Sequence, residues 1–208
     1  MKVTISPGNT KIGRTPNISF LPGLTCQSDV PCKRNCYAVK ACRSWAEVVS
    51  SWANNSMLWA MRPDLFWKQI DEWSEARSRK PPEYFRWFVG GDIPSLSFYE
   101  GMVVLADKNP RTKFLAFTKN GDVVQHHLFR GHPVNLVLFF SAWPGWRTDQ
   151  TATIQSAGGN VAWFQQKDGP EERIQYYEKT CIKCPGKCQA CRQCWNPKPG
   201  QGVIFHEH

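Results

Sequence analysis

From Phe85 onward the chain alternates short apolar runs with amphipathic stretches. Phe85 to Val89, Lys113 to Thr118, Asn135 to Phe140, Val161 to Phe164 and Val203 to Phe205 predict strands. Leu96 to Asp107, Asp122 to Phe129 and Thr148 to Ala157 predict helices. Strands that are apolar on both faces and separated by helices indicate parallel βαβ units, covered on each side. Such units build either an open doubly wound sheet or a barrel, complete or partial.

The first 34 residues are rich in Pro, Gly, Asn, Ser and Thr and predict an ordered loop segment. Helical sequence begins near Asn35, continues from Ser44 to about Ala60, and restarts at Pro63-Asp64 with Leu65, Phe66, Ile70 and Trp73 on one face, ending at Pro81-Pro82. The expected organisation is a single domain over residues 1–208, with an N-terminal cysteine loop (1–43), a βα core (44–178) and a C-terminal cysteine-rich segment (179–208). The tryptophans Trp45, Trp52, Trp59, Trp87, Trp143 and Trp163 are expected mainly in the core.

Composition adds little to this picture except at the cysteines. A hydrophobic content of 41% over 208 residues supports a substantial core. No apolar run reaches the length of a signal peptide or a membrane span, which predicts a cytosolic protein without a membrane partner. Twenty-six Lys and Arg against seventeen Asp and Glu give a net charge of +9. That excess admits a nucleic-acid partner, but the basic residues are scattered, with modest concentrations at Arg77-Ser78-Arg79-Lys80 and through Lys179 to Arg192. His126, His127, His132, His206 and His208 show no metal-ligand spacing.

All nine cysteines lie in two groups: Cys26, Cys32, Cys36 and Cys42, then Cys181, Cys184, Cys188, Cys191 and Cys194. Spacings of two to five residues let thiols converge on one ion or cluster, and a reducing compartment favours metal over disulfides. The first group, C-x5-C-x3-C-x5-C, lacks the paired knuckles of structural zinc and suits a [4Fe-4S] cluster held by three loop cysteines. Cys42 falls within predicted helix and is the doubtful member. The second group, C-x2-C-x3-C-x2-C-x2-C, is too dense for a zinc ribbon. Iron-sulfur fits it better, zinc is the alternative, and Cys181 is surplus to a four-ligand site.

In either architecture ligands gather at the carboxyl ends of the strands. Those ends carry Gly90-Gly91-Asp92, then Thr118-Lys119-Asn120-Gly121, then Ser141, then Gln165-Gln166.

Together the N-terminal cysteines, the glycine pair and the βα pattern resemble the radical S-adenosylmethionine superfamily. Gly90-Gly91-Asp92-Ile93-Pro94 is similar to its Gly-Gly-Glu-Pro motif, and Thr118-Lys119-Asn120-Gly121 to the Thr-Asn-Gly turn of the following strand. A closer resemblance, over about residues 8–196, is to small phage-encoded proteins of the gene product 88 type. It rests on Cys26, Cys32, Cys36-Tyr37-Ala38, Gly91-Asp92, Cys184-Pro185, Cys188, Cys191 and Cys194-Trp195. The resemblance implies a partial (β/α) barrel. It also implies a [4Fe-4S] cluster on Cys26, Cys32 and Cys36 with one iron open to S-adenosylmethionine, and cofactor contacts from Gly90, Gly91, Asp92, Thr118, Asn120 and Ser141. A second or structural site would use Cys184, Cys188, Cys191 and Cys194.

Three functions stay open at this point. They are radical S-adenosylmethionine chemistry on a substrate the sequence does not reveal, a non-catalytic iron-sulfur electron-transfer or sensing module in which Cys42 closes the first site, and a zinc-stabilised nucleic-acid-binding protein. A phage-encoded protein would work in the host cytoplasm.

Overall fold

The computed structural model describes residues 1–33, 35–165 and 181–206. Seven strands form one sheet: β1 (Asn17–Ile18), β2 (Tyr84–Trp87), β3 (Lys113–Thr118), β4 (Leu136–Ala142), β5 (Asn160–Gln165), β6 (Cys181–Lys183) and β7 (Gly202–His206). Their spatial order is β1-β2-β3-β4-β5-β7-β6, and every neighbouring pair is parallel.

Among the described residues, six α-helices precede the last segment: α1 (Tyr37–Ser44), α2 (Ala46–Met61), α3 (Pro63–Glu75), α4 (Leu96–Lys108), α5 (Gly121–Arg130) and α6 (Thr148–Ser156). A one-turn helix, α7 (Cys188–Cys191), lies between β6 and β7. Local chemistry sets several boundaries. Pro63 opens α3, where its missing N–H costs nothing. The Ser95 hydroxyl accepts from Phe98 N at 3.2 Å to cap α4, and the Asn120 side chain accepts from Val123 N to cap α5.

Period-two alternation along the strands divides the core into two layers. Phe85, Trp87, Phe114, Ala116, Leu136 and Leu138 face one side, packed with Leu58 of α2, Phe66 and Ile70 of α3 and Phe98 and Met102 of α4. Phe140, Val161, Trp163 and Ile204 continue that face under Val124 of α5 and Ile154 of α6. Helices α2 to α6 therefore all pack on one side, and β1 to β5 follow each other in space. Both features belong to a sheet wound in one direction rather than to the doubly wound alternative. The sheet stays open between β1 and β6.

The opposite face carries Leu115, Phe139, Ala162 and Val203, and its cover is the C-terminal cysteine segment: Cys184, Cys188, Cys194 and Trp195 pack against it. Trp195 Nε1 donates to Phe85 O at 3.2 Å, Cys188 N to Lys11 O at 3.0 Å, and the Arg192 guanidinium to Thr15 Oγ1 at 3.0 Å. This segment thus covers the sheet face opposite the helices and ties it to the loop before β1.

Some boundaries differ from the sequence expectation. The strand expected over Phe85 to Val89 stops at Trp87, because Phe88 turns into the left-handed region at φ 54°. The expected helix near Ser44 is two helices, broken at Trp45, whose backbone is extended. Trp45 is consequently 62% exposed and not a core residue. Helix α3 ends at Glu75, before Pro81-Pro82. Strands β1 and β6 were not expected at all. Gln166 and His208 lie outside the described residues.

Candidate functional site

The carboxyl end of β2 leads into Phe88-Val89-Gly90-Gly91-Asp92, which faces the N-terminal cysteine loop. Backbone groups lock the two together. Phe20 N donates to Gly90 O at 3.0 Å, Asp92 N to Thr25 Oγ1 at 2.9 Å, and Ser19 Oγ accepts from both Val89 N and Gly90 N. Gly91 adopts φ +78° and leaves no room for a Cβ beside Phe20 and Thr25. The hydroxyl of Tyr37, directly after Cys36, donates to Val89 O.

Asp92 is fully buried, and both its oxygens are engaged. Oδ1 accepts from Thr118 Oγ1 at 2.6 Å and from Ile93 N at 2.7 Å; Oδ2 accepts from Lys119 N at 3.0 Å and from Lys119 Nζ at 3.3 Å. Thr118 Oγ1 in turn accepts from Asn120 N at 3.0 Å. Asp92 and Thr118 therefore build the junction between the ends of β2 and β3 with their side chains, and Asn120 adds its backbone N–H. Ser141 sits on the face opposite the helices near the end of β4, in register with Ala162. Gly90 leaves the space that the Trp52 ring fills.

Cys26, Cys32 and Cys36 come together beside this junction. Burial pushes the Cys26 and Cys32 thiols up; the nearby Lys119 ammonium opposes that, while Asp92, Cys36 and, for Cys32, the Cys26 thiol reinforce it. Lys119 shows the reciprocal effect. Burial disfavours its charge, but Asp92, Cys32, Tyr37 and Cys26 more than compensate and raise its pKa. Cys42 stands apart on α1, with burial and Cys36 as the influences on its thiol.

The loop bearing Cys26 and Cys32 is also clamped to the β4–α6 connection. Asp29 accepts from the Arg147 guanidinium at 3.0 Å and from Trp146 Nε1 at 3.2 Å, and Gln27 Oε1 accepts from Arg147 at 3.1 Å. The loop so spans the strand ends from β1 to β4.

The second group splits by strand parity. Cys181 pairs with Gly202 in register and packs with the helix-side cluster. Cys184, Cys188, Cys191 and Cys194 instead line one cavity, together with Phe139 and Val203, on the face opposite the helices. Burial raises the Cys188 thiol and pushes Cys194 up to about 12; Arg86 opposes this and the neighbouring thiols add to it. Arg86, at the middle of β2, was missed in the sequence. Its guanidinium stacks over Phe117 at 4.1 Å, and its electrostatic neighbours are Tyr37, Cys188, Cys194 and Cys184.

Among the described residues no three Cys, His, Asp or Glu side chains stand in metal-ligating geometry. The donor chemistry nevertheless fits a thiophilic metal: two sets of three and four thiols, each within electrostatic reach of a half-buried cation able to offset thiolate charge. Among the described residues no helix is long and apolar enough to cross a membrane.

His127 is a second site that sequence spacing did not reveal. It is buried, stacks on His132 at 3.5 Å between ring centroids, and shares a hydrogen bond of 2.9 Å with Tyr99 Oη through Nδ1.

No curated protein and no solved structure matches the chain. The model of the gene product 88 family matches residues 4–197, which takes in both cysteine groups and, among the described elements, α1 to α7 with β1 to β6. By that match the chain belongs to the gene product 88 family.

Proposed function

We propose that this is an iron-sulfur protein of radical S-adenosylmethionine type, phage-encoded and working in the host cytoplasm on a substrate of its own. The observation that carries the reading is that Cys26, Cys32 and Cys36 lie within electrostatic reach of one another and of the Asp92–Lys119 pair, at the carboxyl ends of a sheet wound in one direction. That is where such a fold presents its ligands. Cys26, Cys32 and Cys36 would hold a [4Fe-4S] cluster, which supplies one-electron reduction of a sulfonium. Cys184, Cys188, Cys191 and Cys194 would hold a second, closed site, with iron-sulfur or zinc as its occupant.

The protein's own residues do the rest. Lys119 offsets thiolate charge, and Asp92 fixes the Lys119 ammonium rather than reaching for a ligand. Gly90 and Gly91 keep the backbone close to the cysteine loop. The Arg147–Asp29 clamp holds that loop over the strand ends.

Anaerobic reconstitution followed by iron, sulfide and zinc analysis tests the reading. The expected protein is brown, absorbs broadly near about 400 nm through thiolate-to-iron charge transfer, and holds more iron than zinc. S-adenosylmethionine should change the electron paramagnetic resonance signal of the reduced protein, and Cys42→Ser should leave that change intact. A colourless folded protein with stoichiometric zinc overturns the reading in favour of a zinc-stabilised protein. An unchanged signal, with Cys42→Ser destroying the cluster, replaces it with a closed electron-transfer site.

A further inference from the structure

Arg86 is a cation on the sheet face opposite the helices, and among the described residues no carboxylate forms an ion pair with it. Its Nε donates to Trp87 O at 3.1 Å, which satisfies one donor and neutralises nothing. Strand register places Arg86 between Asn17 of β1 and Leu115 of β3, on the face that the cysteine segment covers. The ring it stacks on, Phe117, belongs to the same packed cluster as Cys184, Cys188 and Cys194. Withdrawing a cation from water without a counter-charge is costly, and Arg86 is half-buried. The anion-forming groups that act on it are the Tyr37 phenol and the thiols of Cys188, Cys194 and Cys184.

We propose that Arg86 is the counter-cation of the C-terminal cysteine site: a metal held there by Cys184, Cys188, Cys191 and Cys194 would be retained in part by the Arg86 charge. This rests on the metal-binding reading above. A divalent ion bound by four thiolates carries a net charge of −2, and a fixed positive charge beside it favours the deprotonated, metal-bound state over free thiols. Tyr37, next to Cys36 in the N-terminal group, also acts on the guanidinium.

Cobalt(II) titration of the full-length reduced protein, read by thiolate-to-cobalt charge transfer, tests this. Cys191→Ser identifies the portion of the signal that comes from the C-terminal group. Arg86→Gln should weaken retention of that portion against a chelator by about 10- to 100-fold, the range for lost outer-shell partners. Arg86→Lys, which keeps the charge and loses the planar stack, should stay within about threefold of the parent. Circular dichroism of the metal-free variants checks folding.

If Arg86→Gln does not fold, the lysine variant decides: retention near the parent supports the proposal, and a hundredfold loss in a folded lysine variant overturns it. Equal retention in the parent and Arg86→Gln also overturns it, and assigns the guanidinium to a soluble carboxylate or phosphate instead. A parent protein that binds no cobalt refutes the metal reading itself, and this inference with it.

Discussion

Lys119 Nζ lies 3.3 Å from Asp92 Oδ2, and this ion pair joins the ends of two neighbouring strands directly beneath the N-terminal cysteine loop. The Asp92 side chain is 1% exposed and that of Lys119 15%, so neither charge is well solvated. Breaking such a pair by removing one partner leaves a buried charge uncompensated, which costs about 3–5 kcal/mol. Asp92→Asn should therefore destabilise the metal-free protein by about 3 kcal/mol or more in chemical denaturation. The double variant Asp92→Asn/Lys119→Met should recover a large part of that loss. Equal stabilities for the single and double variants would mean that the hydrogen bonds from Thr118 and Ile93, not the charge pair, are what Asp92 contributes.

The glycine pair makes a separate prediction. A Cβ on Gly90 would lie 2.2 Å from Cζ3 of Trp52, the side chain that seals this loop against α2. Gly90→Ala should cost about 1–3 kcal/mol by overpacking, and Trp52→Leu in the same protein should relieve part of it. Melting curves of the two single variants and the double variant give the coupling. Additive losses would place the origin elsewhere.

The Arg147–Asp29 pair should behave differently from the buried one. The two side chains are 28% and 50% exposed, and an ion pair of that kind contributes about 0–1 kcal/mol. Arg147→Ala should leave the melting temperature almost unchanged. Because the pair anchors one end of the cysteine loop, however, limited proteolysis within residues 21–33 should become faster. A changed melting temperature with unchanged cleavage would reverse this assignment.

The elements that the sequence made legible are those long enough to show a period. β3, β4 and α4 emerge within two residues of expectation at each end because their apolar positions repeat over six residues or more. β1 spans only Asn17–Ile18, and β6 is read first as a run of ligands, so neither offers a period. Cys181 was singled out by counting thiols, and strand parity then places it on the helix side, away from Cys184. Arg86 was invisible for a different reason. At an alternating strand position an arginine normally marks a solvent-facing side, and only the return of the distant C-terminal segment covers this one. Lys119 was inside the turn Thr118-Lys119-Asn120-Gly121, but a spacing argument attends to the small and polar residues of a turn and not to the cation between them.

The histidine pair yields a pH dependence. Burial, followed by the charges of His132 and His126, lowers the pKa of His127 from 6.5 to about 3. A histidine with a depressed folded pKa stays neutral in the native protein while the unfolded chain already binds a proton. Its contribution to stability is complete above 6.5 and is lost progressively as the pH falls from there toward about 3. Within that window one such group contributes at most about 1.4 kcal/mol per pH unit. His127→Gln keeps a polar partner for Tyr99 and removes the titration, so its denaturation midpoint should fall less steeply below pH 6.5 than that of the parent. Parallel pH profiles for the two proteins would show that His127 is protonated in the folded state, its neighbours His126 and His132 notwithstanding.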